Sequence, residues 1–237
     1  MIIFGKQCFE YVIHHAPTHI QEIYLAKDIE KPLFAKLKKL NAPILRIDNK
    51  KAQSLARGKN HQGVFAKIKP IEQTPLKALL DFSSLVVLCG ISDIGNIGAI
   101  VRTAYALGVG GVVISDRDTL NIQALEGIFK SSSGALLNMP FAFHKSSLSV
   151  ANEAKMKQFN LIGAGRADNS HSVLESTPNK WAIFIGREDT GLPQKLLNKL
   201  DCTLHIAMCN GFDSLNASVA AGILIDRIQH IKKEYYG

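Results

Sequence analysis

The chain has 237 residues, 46% of them hydrophobic, with eight prolines scattered along it, enough for a sizeable core in one or two domains. No apolar run is long enough to span a bilayer, and the opening Met1-Ile-Ile-Phe-Gly-Lys6 lacks the basic region, apolar stretch and cleavage site of a signal peptide. A cytoplasmic protein without membrane contact is therefore expected. The formal net charge is +8, and residues 1–70 hold 13 Lys and Arg against 5 Asp and Glu while residues 71–237 hold 15 of each. A basic segment joined to a neutral one is the electrostatic footprint of polyanion binding, and nucleic acid is the partner it predicts.

In chain order, Gly5 to His15 reads as a helix and Ile20 to Ala26 as a strand. Ile29 to Leu40 reads as an amphipathic helix with Lys31, Lys36, Lys38 and Lys39 off its apolar stripe. Pro43 to Ile47 is a strand, Lys50 to Arg57 a helix and Gly63 to Lys69 a strand, a small α/β unit. Pro70, Pro75 and the polar residues between them open a linker over 71–81. A second α/β unit spans 82–237. Ser84 to Cys89 is a continuous apolar strand of the kind a parallel sheet buries on both faces. Asn96 is positioned to cap the next helix, whose stripe is Ile97, Ile100, Val101, Ala104 and Leu107. Strands follow at 112–115, 139–143, 161–164, 181–185 and 203–207. Helices are expected over 121–129 and 148–159, and a closing apolar helix runs from Leu215 to Ile231.

Four cysteines, Cys8, Cys89, Cys202 and Cys209, show no Cys-x-x-Cys spacing and read as reduced thiols. A metal site at Cys202, His205 and Cys209 lacks an evident fourth ligand in a region that reads as a strand, so no metal is expected. Three segments combine glycine with polar side chains just after buried strands: Asn96 to Ala104, Ile185 to Gly191 and Ile206 to Ser218. Strand ends are where open α/β sheets place ligands. Taken singly, Asn96 is a cap, Arg102 a solvated helix arginine and Glu188 a loop carboxylate, while Ser214, Asn216 and Ser218 are residues that start a helix. Together they supply amides, a guanidinium and a carboxylate without a nucleophile–base pair. No Gly-x-Ser-x-Gly, His-Glu-x-x-His, Walker or kinase motif is present. The missing Gly-x-Gly-x-x-Gly after a strand argues against a nucleotide-binding oxidoreductase.

The three segments resemble the three motifs of the SpoU branch of the SPOUT RNA methyltransferases. Asn96, Gly98, Arg102 and Ala104 match the first, Gly186, Glu188 and Gly191 the second, and Ser214, Leu215, Asn216, Ser218 and Ala220 the third. Lys130-Ser-Ser-Ser-Gly-Ala135 resembles the family between the first two, and His61-Gln-Gly-Val64 resembles the end of its substrate-binding domain. The chain departs from the pattern at Ile94, where proline is frequent, and at Arg187, where a small residue is common.

The resemblance implies S-adenosylmethionine-dependent methylation of a ribose 2′-hydroxyl, with guanosine of 23S ribosomal RNA as the nearest target. A transfer RNA guanosine 2′-O-methyltransferase and a non-catalytic RNA-binding assembly protein are the alternatives. It also implies an α/β fold with a deep trefoil knot and a homodimer joined through the closing helix. In that reading residues 1–70 bind structured RNA through Lys36, Lys38, Lys39, Lys50, Lys51, Arg57 and Lys59. The methyl donor meets Ala164, Gly186, Ile206, Met208, Leu215 and Ser218. Arg102, Asn96, Glu188, Asn216 and Ser214 line the reacting centre, with Glu188 orienting Arg102 or Asn96. Arg102 binds a phosphate and stabilises the developing alkoxide.

Overall fold

The computed structural model describes residues 1–58, 61–117, 121–165, 176–210 and 214–231. Its first sheet has four strands in the order β1-β4-β2-β3, formed by β1 (Ile2–Phe4), β2 (Ile20–Leu25), β3 (Ile44–Arg46) and β4 (Val64–Ile68). The helices α1 (Lys6–His15) and α2 (Lys31–Lys38) cover one face, packing Phe9, Val12 and Leu37 against Ile23, Leu25, Ala66 and Ile68. On the other face α3 (Asn49–Ala56) buries Ala52 and Ala56 against Tyr24 and Phe65. The alternation of Ile23, Tyr24 and Leu25 between the two faces is the period-2 geometry of a strand. β1 is not legible in the sequence. It has three residues and is held as an edge through antiparallel pairing with β4, with the Met1 ammonium donating to the Ile68 carbonyl at 3.0 Å.

The second sheet has six strands, all parallel, in the order β10-β8-β9-β5-β6-β7. They are β5 (Ser84–Cys89), β6 (Gly111–Ser115), β7 (Phe141–His144), β8 (Asn160–Ala164), β9 (Trp181–Ile185) and β10 (Cys202–Leu204). Every residue of β5, β6 and β9 is buried, as an interior parallel strand requires. The helices α5 (Ile94–Ala106), α6 (Ile122–Ser131) and α9 (Ala217–His230) cover one face, while α7 (Ser147–Met156) covers the other. Two single turns, α4 (Leu76–Leu79) and α8 (Gln194–Leu197), each follow a proline and are too short for periodicity to announce. The last strand is shorter than expected: the chain leaves the sheet after Leu204, and the His205 carbonyl accepts from the Arg227 guanidinium of α9 at 3.3 Å.

The chain runs outward through β5, β6 and β7, then returns on the far side of β5, where β9 is inserted between β8 and β5. This reversal of strand order falls between β5 and β9, whose carboxyl ends are the usual location of a ligand site in an open parallel sheet.

The two sheets are joined by more than a tether. The Thr74 amide donates to the Phe141 carbonyl at 2.7 Å, and the Phe143 amide donates to Gln73 Oε1 at 3.1 Å. The segment expected as a linker is thus pinned along β7. Tyr11 of α1 accepts a hydrogen bond from Asn138 at 2.9 Å, and Arg57 pairs with Glu126 of α6 at 3.1 Å. The Lys130 ammonium sits 5.1 Å from the centre of the Phe4 ring.

Candidate functional site

The first polar segment begins where β5 ends. Asp93, not Asn96, caps α5: its carboxylate accepts from the Asn96 amide at 2.6 Å. The correction has a simple cause, since the helix starts one turn earlier than the sequence suggests. Asn96 therefore lies inside the first turn with its carboxamide free to reach outward. Of the expected stripe, Ile97, Ile100, Val101 and Ala104 are fully buried, while Leu107 is half-buried at the C-cap, where α5 has already ended. Gly98 is required by packing. A Cβ there would run into Ser131 Oγ and lie 2.9 Å from the Ile128 carbonyl oxygen, so α5 and α6 cross in contact at this point.

The second segment follows β9. Arg187 and Gly191 pair as an isolated antiparallel bridge, so the chain doubles back within five residues. A Cβ on Gly186 would strike the Gly191 backbone and lie 2.7 Å from the Leu192 amide nitrogen. Gly191 itself takes a left-handed φ of 66°. Inside this turn Arg187 forms a two-pronged pair with Asp189, both contacts 2.9 Å. The guanidinium holds the Asp189 carboxyl well below the usual carboxylate range. Arg187 thus has a partner within its own turn.

The third segment starts α9. Asn216 is its N-cap, with Oδ1 accepting from the Ser218 amide at 2.9 Å and from the Ser218 hydroxyl at 2.6 Å. The three segments, up to 120 residues apart in the chain, meet at one carboxylate. Glu188 Oε1 accepts from Asn96 Nδ2 at 3.0 Å, from Asn216 Nδ2 at 3.3 Å and from the Ala217 amide at 3.0 Å. Asn216 Nδ2 also donates to Asn96 Oδ1 at 2.9 Å. A single acceptor thus fixes both carboxamides and the start of α9. Ser214 is exposed beside this network.

Arg102 stands apart from that knot of hydrogen bonds. It lies six residues beyond Asn96 on α5, a rise of about 9 Å along the axis, and is exposed. Of the two expected partners, Glu188 holds Asn96 and not Arg102. The Arg102 guanidinium instead donates to Ser133 Oγ at 3.2 Å. The serine run 131–133 has a distinct task for each residue. Ser131 Oγ donates to the Gly127 carbonyl at 2.9 Å and to that of Ile94 at 3.1 Å, which ties α6 to the start of α5. Ser132, buried, donates to the Phe129 carbonyl at 3.0 Å and accepts from the Leu136 amide at 3.2 Å. Gly134 follows at a φ of 95°, and a Cβ there would lie 2.5 Å from Tyr11 Cδ1. The loop that holds Arg102 is therefore in direct contact with α1. The sequence offered only a serine run beside a glycine; the partners come from the fold.

Ala164, Gly186 and Ile206 lie at or just beyond the carboxyl ends of the adjacent strands β8, β9 and β10. Ile206, Met208 and Leu215 are half-buried and apolar, and Ile206 and Ala164 pack against the main core. Backbone groups beside uncharged walls suit a flat heteroaromatic ring that carries hydrogen-bonding edges. The basic residues do not form one patch. Lys36, Lys38 and Lys39 belong to α2 and its end, and Lys50 and Lys51 to α3 on the opposite face of the sheet, all exposed. Arg57 is engaged with Glu126, and Lys59 lies outside the described residues.

With this geometry in view, comparison with known proteins is informative. The SpoU rRNA methylase family matches residues 83–226, and the family of RNA 2′-O ribose methyltransferase substrate-binding domains matches residues 2–74. The chain is 29% identical over 236 residues to the 23S rRNA (guanosine-2′-O-)-methyltransferase RlmB of Photobacterium profundum, covering 94% of this chain and 95% of that protein. It is 28% identical to the enzyme of the same name from Salmonella typhimurium, covering 94% and 96%. Among solved structures, the SpoU methyltransferase AviRb from Streptomyces viridochromogenes superposes with a TM-score of 0.78 at 19% identity, over 98% of this chain and 90% of that one. The AdoMet-bound rRNA methyltransferase from Sinorhizobium meliloti gives 0.73 at 20% identity, over 97% and 86%. These two share the fold. A shared α/β architecture, a reversal of strand order and motif residues joined at Glu188 accompany a family match over more than half of the sequence: the chain belongs to the SpoU rRNA methylase family.

Proposed function

We propose that this protein transfers a methyl group from S-adenosylmethionine to the 2′-hydroxyl of a guanosine in 23S ribosomal RNA. The observation that carries the reading is the convergence of Asn96, Glu188 and Asn216 at the carboxyl ends of the parallel strands. Family membership supports the reaction, and the relatives named for 23S guanosine methylation support the target. The domains run over residues 1–70 and 82–237, joined by 71–81, a division supported by the two separate sheets.

Ala164, Gly186, Ile206, Met208, Leu215 and Ser218 hold the methyl donor, which supplies an electrophilic methyl carbon when bound. The chain's own contribution is alignment and charge. Glu188 locks the two carboxamides, so Asn96 and Asn216 present fixed dipoles to the ribose without reorganising. Arg102 places a fork of N–H donors where negative charge develops on the ribose oxygen or on the adjoining phosphate. Ser133 steadies that fork from the far side.

The same reading includes a trefoil knot, supported by membership of the family, and a cytoplasmic homodimer. The dimer uses the outer face of α9. Ala217 and Ala221 are buried in this chain's own core and Gly222 faces Thr103 of α5, which leaves Val219, 50% exposed, with Ala220 and Ile223 to meet a second copy.

The test is to incubate the purified protein with labelled S-adenosylmethionine and separate pools of unmodified ribosomal and transfer RNA, then map the labelled nucleotide. Label in a 23S guanosine is expected; label confined to transfer RNA selects that substrate instead, and label in neither selects an assembly protein. Arg102→Ala should lower turnover about a hundredfold or more with donor affinity unchanged, the scale of losing a transition-state donor.

A further inference from the structure

The motif His61-Gln62-Gly63 has no part in the site above, yet it forms the wall of a second cavity. A pocket of about 470 Å³ opens in the N-terminal unit, bounded by the residues that follow β2, by α3 and by the turn into β4. Its polar lining is Lys27, Asn49, Gln53, His61 and Gln62, with no carboxylate among the lining residues. Asn49 and Gln53 are four apart on α3 and so share a face.

His61, Gln62 and Lys27 are each held in place. The Gly63 amide donates to His61 Nδ1 at 3.0 Å. In the neutral ring the hydrogen must then be on Nε2, which makes that nitrogen a donor. The imidazole packs against Phe65 with ring centres 4.9 Å apart and planes inclined by 31°. Gln62 Oε1 accepts from the Lys6 amide at 2.7 Å, which leaves its NH2 group to donate. Gln62 adopts a left-handed φ of 55°, a cost for a residue with a side chain, and Gly63 follows at 81°. A Cβ on Gly63 would lie 2.5 Å from Lys27 Cγ and 2.9 Å from Cε. The Lys27 stem therefore lies flat across the glycine, beside the pocket.

One ammonium, three carboxamides and a fixed imidazole donor select a ligand that is anionic and has both donors and acceptors on a polar edge. The lining is too polar for a lipid. Carboxamides pair with base edges in two-pronged fashion, and a lysine neutralises a phosphate. A volume of this size suits a nucleobase with its sugar. We propose that the pocket takes one unpaired nucleotide of the RNA substrate, its base against Asn49, Gln53 and Gln62 and its phosphate at Lys27. The proposal rests on the reading of this chain as an RNA-binding enzyme, and it supplies what a scattered set of surface lysines lacks: a reason to prefer an unpaired segment over a duplex.

The test uses the full chain and fluorescence anisotropy with two probes, a labelled unstructured RNA strand and a labelled RNA duplex, in one buffer. Lys27 and Gln53 are exposed, so Lys27→Ala/Gln53→Ala is expected to fold, with circular dichroism as the check. The double variant should bind the strand about thirtyfold more weakly or worse, the loss expected from one charge-assisted and one neutral hydrogen bond, with duplex binding unchanged. Equal losses on both probes would mark a general basic surface and overturn the proposal, as would no loss on either. Displacement of the strand by guanosine monophosphate at comparable affinity would mark a free-nucleotide site and also overturn it. Anisotropy needs no methyl donor, so a wild-type chain that methylates nothing would refute the function above and leave this contrast readable.

Discussion

Glu188→Ala is the sharpest test of the site, because three donors converge on one oxygen of that carboxylate. The substitution leaves Asn96 Nδ2, Asn216 Nδ2 and the Ala217 amide without this acceptor. A hydrogen bond contributes roughly 0.5–1.5 kcal/mol net, and exposure of Glu188 puts each of these near the low end because water replaces the lost partner. The sum is about 2 kcal/mol, which for a chain of this size lowers Tm by about 4–8 °C. Glu188→Gln keeps a carbonyl oxygen in the same place and removes only the charge, so it should lose about half as much. Scanning calorimetry of Glu188→Ala, Asn96→Ala and the double variant closes a cycle, with an expected coupling of about 0.5–1 kcal/mol. A Glu188→Ala melt within about 1 °C of wild type, or a cycle that closes to zero, would refute the claim that this carboxylate joins the three segments.

Two further outcomes follow from burial and from domain contact. Burial pushes the Cys89 thiol up to about 12 and raises that of Cys8, while Cys209 is exposed. A thiol reagent at neutral pH, read by peptide mapping, should therefore label Cys209 quickly and the other two only on the timescale of unfolding. Gly134→Val places a branched side chain where Tyr11 lies, at a φ of 95°. It should cost roughly 1–3 kcal/mol and loosen α1 from the catalytic unit, seen as a larger radius of gyration in small-angle scattering; an unchanged radius and melt would count against the contact.

The fold was most legible where one residue type repeats for one reason. The run Ser84 to Cys89 must be buried on both faces, and β5 has those bounds. Four of the five stripe residues, Ile97, Ile100, Val101 and Ala104, likewise turned inward as a period of 3.6 requires, and Leu107 only in part because the helix ends before it. Elements decided by their neighbours were not legible. β1 exists because β4 offers it an edge, and α4 and α8 are single turns that prolines permit. At the site, the residue types were visible but their partners were not. Asn96 read as a cap from its residue type alone, but Asp93, three residues earlier, holds that role because the helix starts one turn sooner. That Glu188 holds Asn96 while Arg102 turns to Ser133 depends on the approach of α6 to α5 at Gly98, which no local pattern reports.

The pinning of Gln73 and Thr74 along β7 has a consequence beyond domain geometry. β7 is a margin of a six-stranded sheet, and a bare margin is a template on which foreign chains can polymerise. By occupying the Phe141 carbonyl and the Phe143 amide, the connecting segment acts as a selvedge that keeps the fabric from being extended. Mutations that unpick it would then surface first as fibrillar or amorphous deposits in storage, before any change in the catalytic unit itself.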